Sequence, residues 1–212
     1  LSGKKITITA GPTREQIDPV RFISNNSSGK MGYALADAAI EAGALVNLVS
    51  GPVSIKADKH ANLIKVNSAK EMFDNVVNCM NDSDIFIACA AVSDFRPSDY
   101  SDKKIKKDNL EHIDIHFEKN EDILSYVASE YPSAFIVGFA AETANVNTNA
   151  KNKLKSKNLN MIISNDVSNK SIGFDVDDNE VNVITNNETI FLKKDKKIRI
   201  AREIFKIIAS NI

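Results

Sequence analysis

The chain opens on an alternating β-branched run, Lys5 to Ala10 (KITITA), which reads as a strand and is broken by Gly11-Pro12. The Ala-rich run from Met31 to Ala42 has helical spacing, stops before Gly43 as at a C-cap, and leads into a strand over Leu45 to Ser50. This is a βαβ opening. The pattern then predicts a helix over Ala69 to Met80, a very apolar strand over Ile85 to Ala90, a strand over His112 to Phe117 and a helix over Glu121 to Glu130. A strand over Phe135 to Phe139, a helix over Asn147 to Lys157 and a strand over Asn160 to Ser164 follow. Near the end, Val181 to Thr185 and Thr189 to Leu192 flank Asn186-Asn187 as a hairpin, and Lys196 to Ala209 forms an amphipathic helix. Strands separated by helices predict a Rossmann-like α/β fold, a doubly wound, mostly parallel sheet with a carboxy-terminal β-hairpin and helix. No repeat, low-complexity stretch or linker divides the pattern, so residues 1–212 read as a single domain.

Composition narrows the partners. The 212 residues are enough to bury one large core. With 27 basic against 28 acidic residues and a net charge of −1, no global field draws the chain to nucleic acid or to a membrane, so any polyanion site must be local. Cys79 and Cys89 make no CxxC, and His60, His112 and His116 make no zinc spacing, which fits a reducing cytoplasm. No apolar run approaches the ~18 residues of a membrane span. The start, Leu1-Ser2-Gly3-Lys4-Lys5, is not a signal peptide and lacks an initiator methionine, so the chain reads as a fragment or processed form.

Candidate chemistry lies in four loops. The first strand opens a loop of about twenty residues, Gly11 to Lys30, where such connections usually have about two to six. Its far end, Ser27-Ser28-Gly29-Lys30-Met31-Gly32, sets small residues, hydroxyls and a lysine at a helix N-terminus, where free N–H groups and the dipole attract phosphate. The alternative is a glycine needed only for close helix–strand packing. A Walker A motif fails, because it needs Gly at Ser24 and Ser or Thr at Met31, and the second strand ends in Ser50-Gly51 without the ribose-binding acid of NAD proteins. The second loop, Ala90 to Pro97, follows a buried strand; Asp94 either holds a metal or hydroxyl, or caps a turn while Arg96 pairs on the surface. The lysine run Lys103 to Lys107 is either a solvated face or a loop that closes over a triphosphate. In the third loop, Asn120-Glu121-Asp122-Ile123, Asn120 also serves as an ordinary N-cap. The fourth runs from Gly138 to Thr143; Phe139 is core or a base-stacking platform, and Lys153 and Lys157 follow on one helical face. His112, Asp114 and His116 share the polar face of their predicted strand, and without a further ligand the solvent-facing reading is preferred to a metal site.

Taken together, ITAGPTREQIDPVRFISNNSSGKMG, AAVSDFRP, KIKK, NEDI, GFAAET and KNLNMIISNDVS resemble the phosphopantothenoylcysteine synthetase family along nearly the whole chain. The wording is similar to the carboxy-terminal half of the bacterial bifunctional enzyme, whose amino-terminal half is a flavin-dependent decarboxylase. Glu121 stands where the family commonly has Pro, and Ser93 replaces a usual Ala. The resemblance implies a cytoplasmic, homodimeric ligase of coenzyme A biosynthesis that joins L-cysteine to 4′-phosphopantothenate. It would use CTP and Mg²⁺ and pass through a phosphopantothenoyl-cytidylate. By the same resemblance Gly11, Ser28, Gly29, Lys30 and Gly32 would cradle phosphates, Asp94 would hold the nucleotide or its Mg²⁺, and Lys104 would sit on a flap over the reaction. Phe139, Lys153, Lys157 and the segment Glu121, Asp122, Ile123, Leu124 match cytidine-nucleotide contacts. Arg21 and Ala91 match substrate contacts, and Asn25 matches the asparagine associated with conversion of the acyl-cytidylate. Val181 to Leu192 is the candidate dimer arm, a hairpin that can equally pack against its own domain. Two rival readings are an NAD(P)-dependent reductase on a similar sheet and a non-catalytic nucleotide-binding module.

Overall fold

The computed structural model describes residues 1–106, 112–142, 146–166 and 175–212. Lys107, Thr143 and the Val167-Ser168 end of the last motif lie outside the described residues. The strands are β1 (Lys5–Ala10), β2 (Arg14–Gln16), β3 (Phe22–Ser24), β4 (Leu45–Ser50), β5 (Asn62–Lys65), β6 (Ile85–Ala88), β7 (Phe95–Pro97), β8 (Phe117–Lys119), β9 (Phe135–Glu142), β10 (Met161–Asp166), β11 (Asp178–Thr185) and β12 (Thr189–Lys196). The helices are α1 (Lys30–Glu41), α2 (Ala69–Met80), α3 (Ile123–Glu130), α4 (Val146–Ser156) and α5 (Lys197–Ala209).

Eight strands form one sheet in the order β12-β11-β10-β9-β6-β1-β4-β5. Its middle is parallel, and the edge hairpin β11–β12 runs antiparallel to β10. From β1 the chain winds outward through β4 and β5, then returns to place β6 on the other side of β1. The switch point therefore lies between β1 and β6, where a crevice opens at the carboxyl ends of the strands.

Both faces are covered. The isoleucines of β1 and Met161 and Ile163 of β10 meet α1 and α5, while Phe86, Ile136 and Ile162 meet α2, α3 and α4. Helix α5 docks through a stripe of Ile200, Ala201, Ile204, Phe205 and Ile208, a 3.6-residue period read directly from sequence. Helix α2 begins at Ser68, whose hydroxyl accepts from Glu71 N at 3.2 Å. The buried Glu15 of β2 reaches across to accept from Ala69 N at 3.0 Å, so the first loop is fastened to that helix start.

Two expectations are corrected. Residues His112–His116 are not a strand: only Phe117–Lys119 is extended, and it pairs with β7 in a ribbon outside the main sheet. Without a sheet to cover them, the alternating apolar residues Ile113 and Phe117 stay exposed, at 48% each. Helix α3 starts two residues later than Glu121, capped by Asp122 and not by Asn120, because Asp122 accepts from Ser125 N at 3.0 Å. The first loop holds a small ribbon of its own, β2 paired with β3, and β5 extends the sheet beyond the strands the pattern predicted.

Candidate active site

The first two loops are one structure. Beyond the sheet, Gly11 to Thr13 keep pairing with Ala91: Ala91 N donates to Gly11 O at 2.9 Å and Thr13 N to Ala91 O at 3.3 Å. Ser93 N donates to Thr13 Oγ1 at 3.0 Å, and Cys89 N and Ala90 N both donate to Thr9 Oγ1 at 3.2 Å. Asn25 joins this seam, its Nδ2 donating to Ala91 O at 2.9 Å, so its exposed amide is aimed from the edge of the crevice. The second loop is tied in turn to the third. Asn120 donates its backbone N–H to Asp94 O at 2.9 Å and its side-chain amide to Ser93 O at 2.8 Å, and accepts from Arg96 at 2.8 Å. Arg96 also pairs with Glu118 at 2.9 Å, which is the surface-pairing alternative for that residue.

Two hollows open along this seam, divided by Ala90 and the half-buried Phe139, which line both. The first is floored by the start of α1. Gly29 caps that helix in a left-handed conformation, φ 78°, and has no side chain to bond the first-turn N–H groups. Ser27, Ser28, Gly29, Lys30 and Gly32 line it, opposite Asn165, Asn179 and Lys197. Gly32 also serves the packing alternative, because a Cβ there would stand 2.5 Å from Ala10 Cβ. Lys30 is shared: its ammonium donates to Asp177 Oδ1 at 2.9 Å and to Asp175 O at 2.8 Å, and the Asp177 bond raises its pKa.

The second hollow gathers Asp94, Glu121, Asp122, Ile123, Leu124, Lys153 and Lys157. Lys157 is paired with Asp122, whose carboxyl sits below the usual range: burial pushes it up, but Lys157 and the Ser125 N–H outweigh that. Asp94 offers one exposed carboxylate at the mouth. Among the described residues no three His, Cys, Asp or Glu side chains converge on a metal. A hard divalent ion here would take one carboxylate from the protein and most of its oxygens from a bound phosphate chain and water, as Mg²⁺ commonly does. Asp94 fits that arrangement.

Arg21 and Lys104 stand away from both hollows. Arg21 Nη2 donates to Ile105 O at 3.0 Å, which holds the Lys104 loop against the first loop, while Lys104 itself is exposed. At the end of β4, where a dinucleotide enzyme would place its ribose acid, Ser50 is buried between the Tyr33 hydroxyl at 3.1 Å and its own Gly51 carbonyl at 2.9 Å.

The sequence reading missed Lys197, Asn179, Asn165 and Cys89. Lys197 carried a usable signal. It stands three and four residues before Ile200 and Ala201, on the apolar stripe of α5, where a lysine is out of place unless its ammonium has a buried task. It is 6% exposed and donates to Val176 O. Burial, and then the like charge of Lys30, pull its pKa below the ordinary lysine value despite Asp177 nearby. Cys89, beside it, is pushed up to about 12 by burial, and Cys79 is also raised by burial. Burial thus disfavours the thiolate form at both cysteines. A thiol reagent at pH 8 should label neither cysteine in the folded chain and both in guanidinium; fast labelling of Cys89 in the native state would contradict its protonated setting.

The comparisons with known proteins agree with this architecture. Residues 1–212 match the family described as the DNA/pantothenate metabolism flavoprotein C-terminal domain. The coenzyme A biosynthesis bifunctional protein CoaBC of Vibrio vulnificus is 47% identical over 208 residues, covering 97% of this chain and 52% of that protein. The CoaBC of Bacillus subtilis is 46% identical over 198 residues, covering 93% of this chain and 47% of that protein. The chain thus spans about half the length of these relatives. A crystal structure of the CoaBC C-terminal domain superposes with a TM-score of 0.84 at 42% identity, over 98% of this chain and 95% of that one. Cab2, solved with phosphopantothenate-cysteine, shares the fold at a TM-score of 0.81 and 17% identity, over 98% of this chain and 86% of that one. By sequence and by fold, the chain belongs to the family of DNA/pantothenate metabolism flavoprotein C-terminal domains.

Proposed function

We propose that the chain ligates 4′-phosphopantothenate to L-cysteine in coenzyme A biosynthesis, at the expense of CTP. The observation that carries the reading is a divided crevice at the switch point: a helix N-terminus with Lys30 and Lys197 on one side of Phe139, and Lys153 and Lys157 on the other. A nucleoside triphosphate needs such a pairing, with cations and N–H groups for its phosphates and an aromatic divider beside its base. The kinship with CoaBC supports a place in coenzyme A biosynthesis, and the motif resemblance supports the acyl substrate.

In this reading a carboxylate oxygen of phosphopantothenate attacks the α-phosphorus of CTP. The bond from that phosphorus to the bridging oxygen breaks, and pyrophosphate leaves. The amine of cysteine then attacks the acyl carbonyl, the carbon–oxygen bond to CMP breaks, and the amine proton passes to solvent. The α1 amides and the lysines hold the charge that accumulates on the phosphates. Asn25, fixed by Ala91 O, orients the acyl-cytidylate for the second step. A Mg²⁺ at Asp94, when bound, would draw charge from the triphosphate oxygens. Two copies would associate through β12: β11 is buried in its own sheet, whereas β12 is the free edge and exposes Phe191 at 51%. In the longer relatives a decarboxylase half would deliver no substrate to this step but consume its product.

Incubation with CTP, Mg²⁺ and 4′-phosphopantothenate, with and without cysteine, tests this by mass spectrometry. The wild type should give CMP, pyrophosphate and phosphopantothenoylcysteine, and Asn25→Asp should accumulate the acyl-cytidylate. A folded chain that binds CTP without consuming it would instead be a nucleotide-binding module.

A further inference from the structure

Asn179 stands near the start of β11 on its buried face. It alternates there with Val181 and Val183, which pack into the core that α1 and α5 cover, and it is 3% exposed. Packing alone would set a third apolar side chain in that row. The amide is only half used. Its Oδ1 accepts from Glu180 N at 3.0 Å, which fixes the end of the side chain that carries the donors. Its Nδ2 has Met31 Sδ at 3.8 Å, a thioether and so a weak acceptor, and no oxygen partner among the described residues. A buried donor in that state is costly to keep and calls for a reason.

Its surroundings supply one. Asn179 lines the first hollow together with Lys197, and Met31, the atom group its Nδ2 meets, belongs to the first turn of α1 and lines the same hollow. The strand is irregular at this point: two steps along β11, from Asn179 to Val181, match three along β12, from Asp195 to Leu192. Such an extra residue re-aims neighbouring side chains and is frequent beside active sites. The facing wall is the start of α1, where Gly29 caps without a side chain and first-turn N–H groups attract an oxyanion. We propose that Asn179 is a ligand-binding residue whose Nδ2 donates to a phosphate oxygen seated over the start of α1. The inference deepens the ligase reading and rests on its anion hollow, where two reactants, CTP and 4′-phosphopantothenate, carry the required group. A neutral donor suits the place, because Lys30 and Lys197 already repel each other there and a third buried cation would add to that repulsion.

Asn179→Asp keeps the shape and the acceptor for Glu180 N but puts an oxygen where the donor was; Asn179→Leu removes the amide without adding charge. Calorimetric titration of wild type and both variants uses CTP, 4′-phosphopantothenate and pantothenate, which has no phosphate, and thermal unfolding is followed on the same samples. Both variants should bind a phosphate ligand about 10- to 100-fold more weakly, whereas Asn179→Leu, which completes the apolar row, should melt no lower than the wild type. Weaker binding of CTP alone places the nucleotide's phosphates on Asn179, and weaker binding of 4′-phosphopantothenate alone places the acyl substrate's phosphate there. Affinities within about twofold of wild type for both phosphate ligands, or an equal loss with pantothenate, overturn the proposal. So does a lowered melting temperature with affinity intact, the mark of a purely structural amide. Should neither variant fold, the side-chain N–H signals of Asn179 in the wild type carry the test: they should move with a phosphate ligand and not with pantothenate, and stationary signals overturn it. A wild type that binds phosphate through Asn179 but never releases pyrophosphate sinks the ligase reading and leaves this donor in place; normal turnover with both variants unimpaired does the reverse.

Discussion

Gly51→Ala is expected to lower the proposed ligation roughly 100-fold while the central sheet persists. Gly51 follows β4, and a Cβ there would stand 1.7 Å from Pro12 O and 2.8 Å from Pro12 C, both backbone atoms with no rotamer to yield. The Pro12 carbonyl would have to retreat by more than an ångström to reach ordinary contact. Pro12 is bridged to Ala91, so the displacement passes straight into the seam that holds Asn25 and the mouth of both hollows. Overpacking of this kind costs about 1–3 kcal/mol of stability, and a shift near 1 Å at reacting groups costs roughly 100-fold in rate. Urea unfolding and turnover measured on the same preparation check both effects. A native unfolding midpoint with full turnover would show that the Pro12 turn has slack the structure does not display.

Lys197→Met should separate stability from nucleotide binding. The lysine is buried, and its lowered pKa means that its charge is disfavoured in the folded state. The sign follows from linkage. Between the lowered folded pKa and the ordinary 10.5 the unfolded chain binds more protons, so stability rises with pH through that window, and below it the penalty is fully present. Methionine removes the penalty and the slope but leaves Val176 O without this donor, so net stability at pH 7 should change by less than about 1 kcal/mol. Loss of a charge-assisted contact to phosphate removes about 1.5–3 kcal/mol of binding, roughly 10- to 100-fold in CTP affinity. Calorimetric titration with CTP and thermal unfolding across pH 7 to 10 give the two readouts. Unchanged CTP affinity would place Lys197 in the architecture alone.

These two residues also show where a single sequence is legible. Periodicity is local, so the parallel sheet, its helices and the edge hairpin could be read from alternation and from the apolar stripe of α5. The long first connection stood out for the same reason: it interrupts the rhythm. What periodicity does not carry is which loops touch. The pairing of Gly11 to Thr13 with Ala91 joins positions about eighty residues apart through backbone groups that nearly every residue possesses, and Ile105 N meets the Asp18 carboxylate across a similar span. Gly51 had no reason to be singled out, since its neighbour Pro12 is remote in sequence. The His112–Phe117 run failed differently. It has strand-like alternation, but alternation predicts a buried face only when a covering layer exists, and there the chain has left the sheet. Family wording gathered most residues of the two hollows, yet Lys197 and Asn179 were left out because neither belongs to a conspicuous motif, and Asn165, inside KNLNMIISNDVS, was given no role.

The distribution of the anion hollow along the chain has a consequence for synthesis. Its floor comes from α1, and its wall is completed by Lys197, the opening residue of α5, a 13-residue segment that also covers the apolar side of α1. A chain emerging from the ribosome amino-terminus first can assemble β1, α1 and β4 early, but the hollow stays unwalled and that helix face uncovered until α5 is released. The nucleotide affinity proposed for the hollow thus requires α5, and a bound nucleotide would selectively stabilise molecules in which α5 has docked.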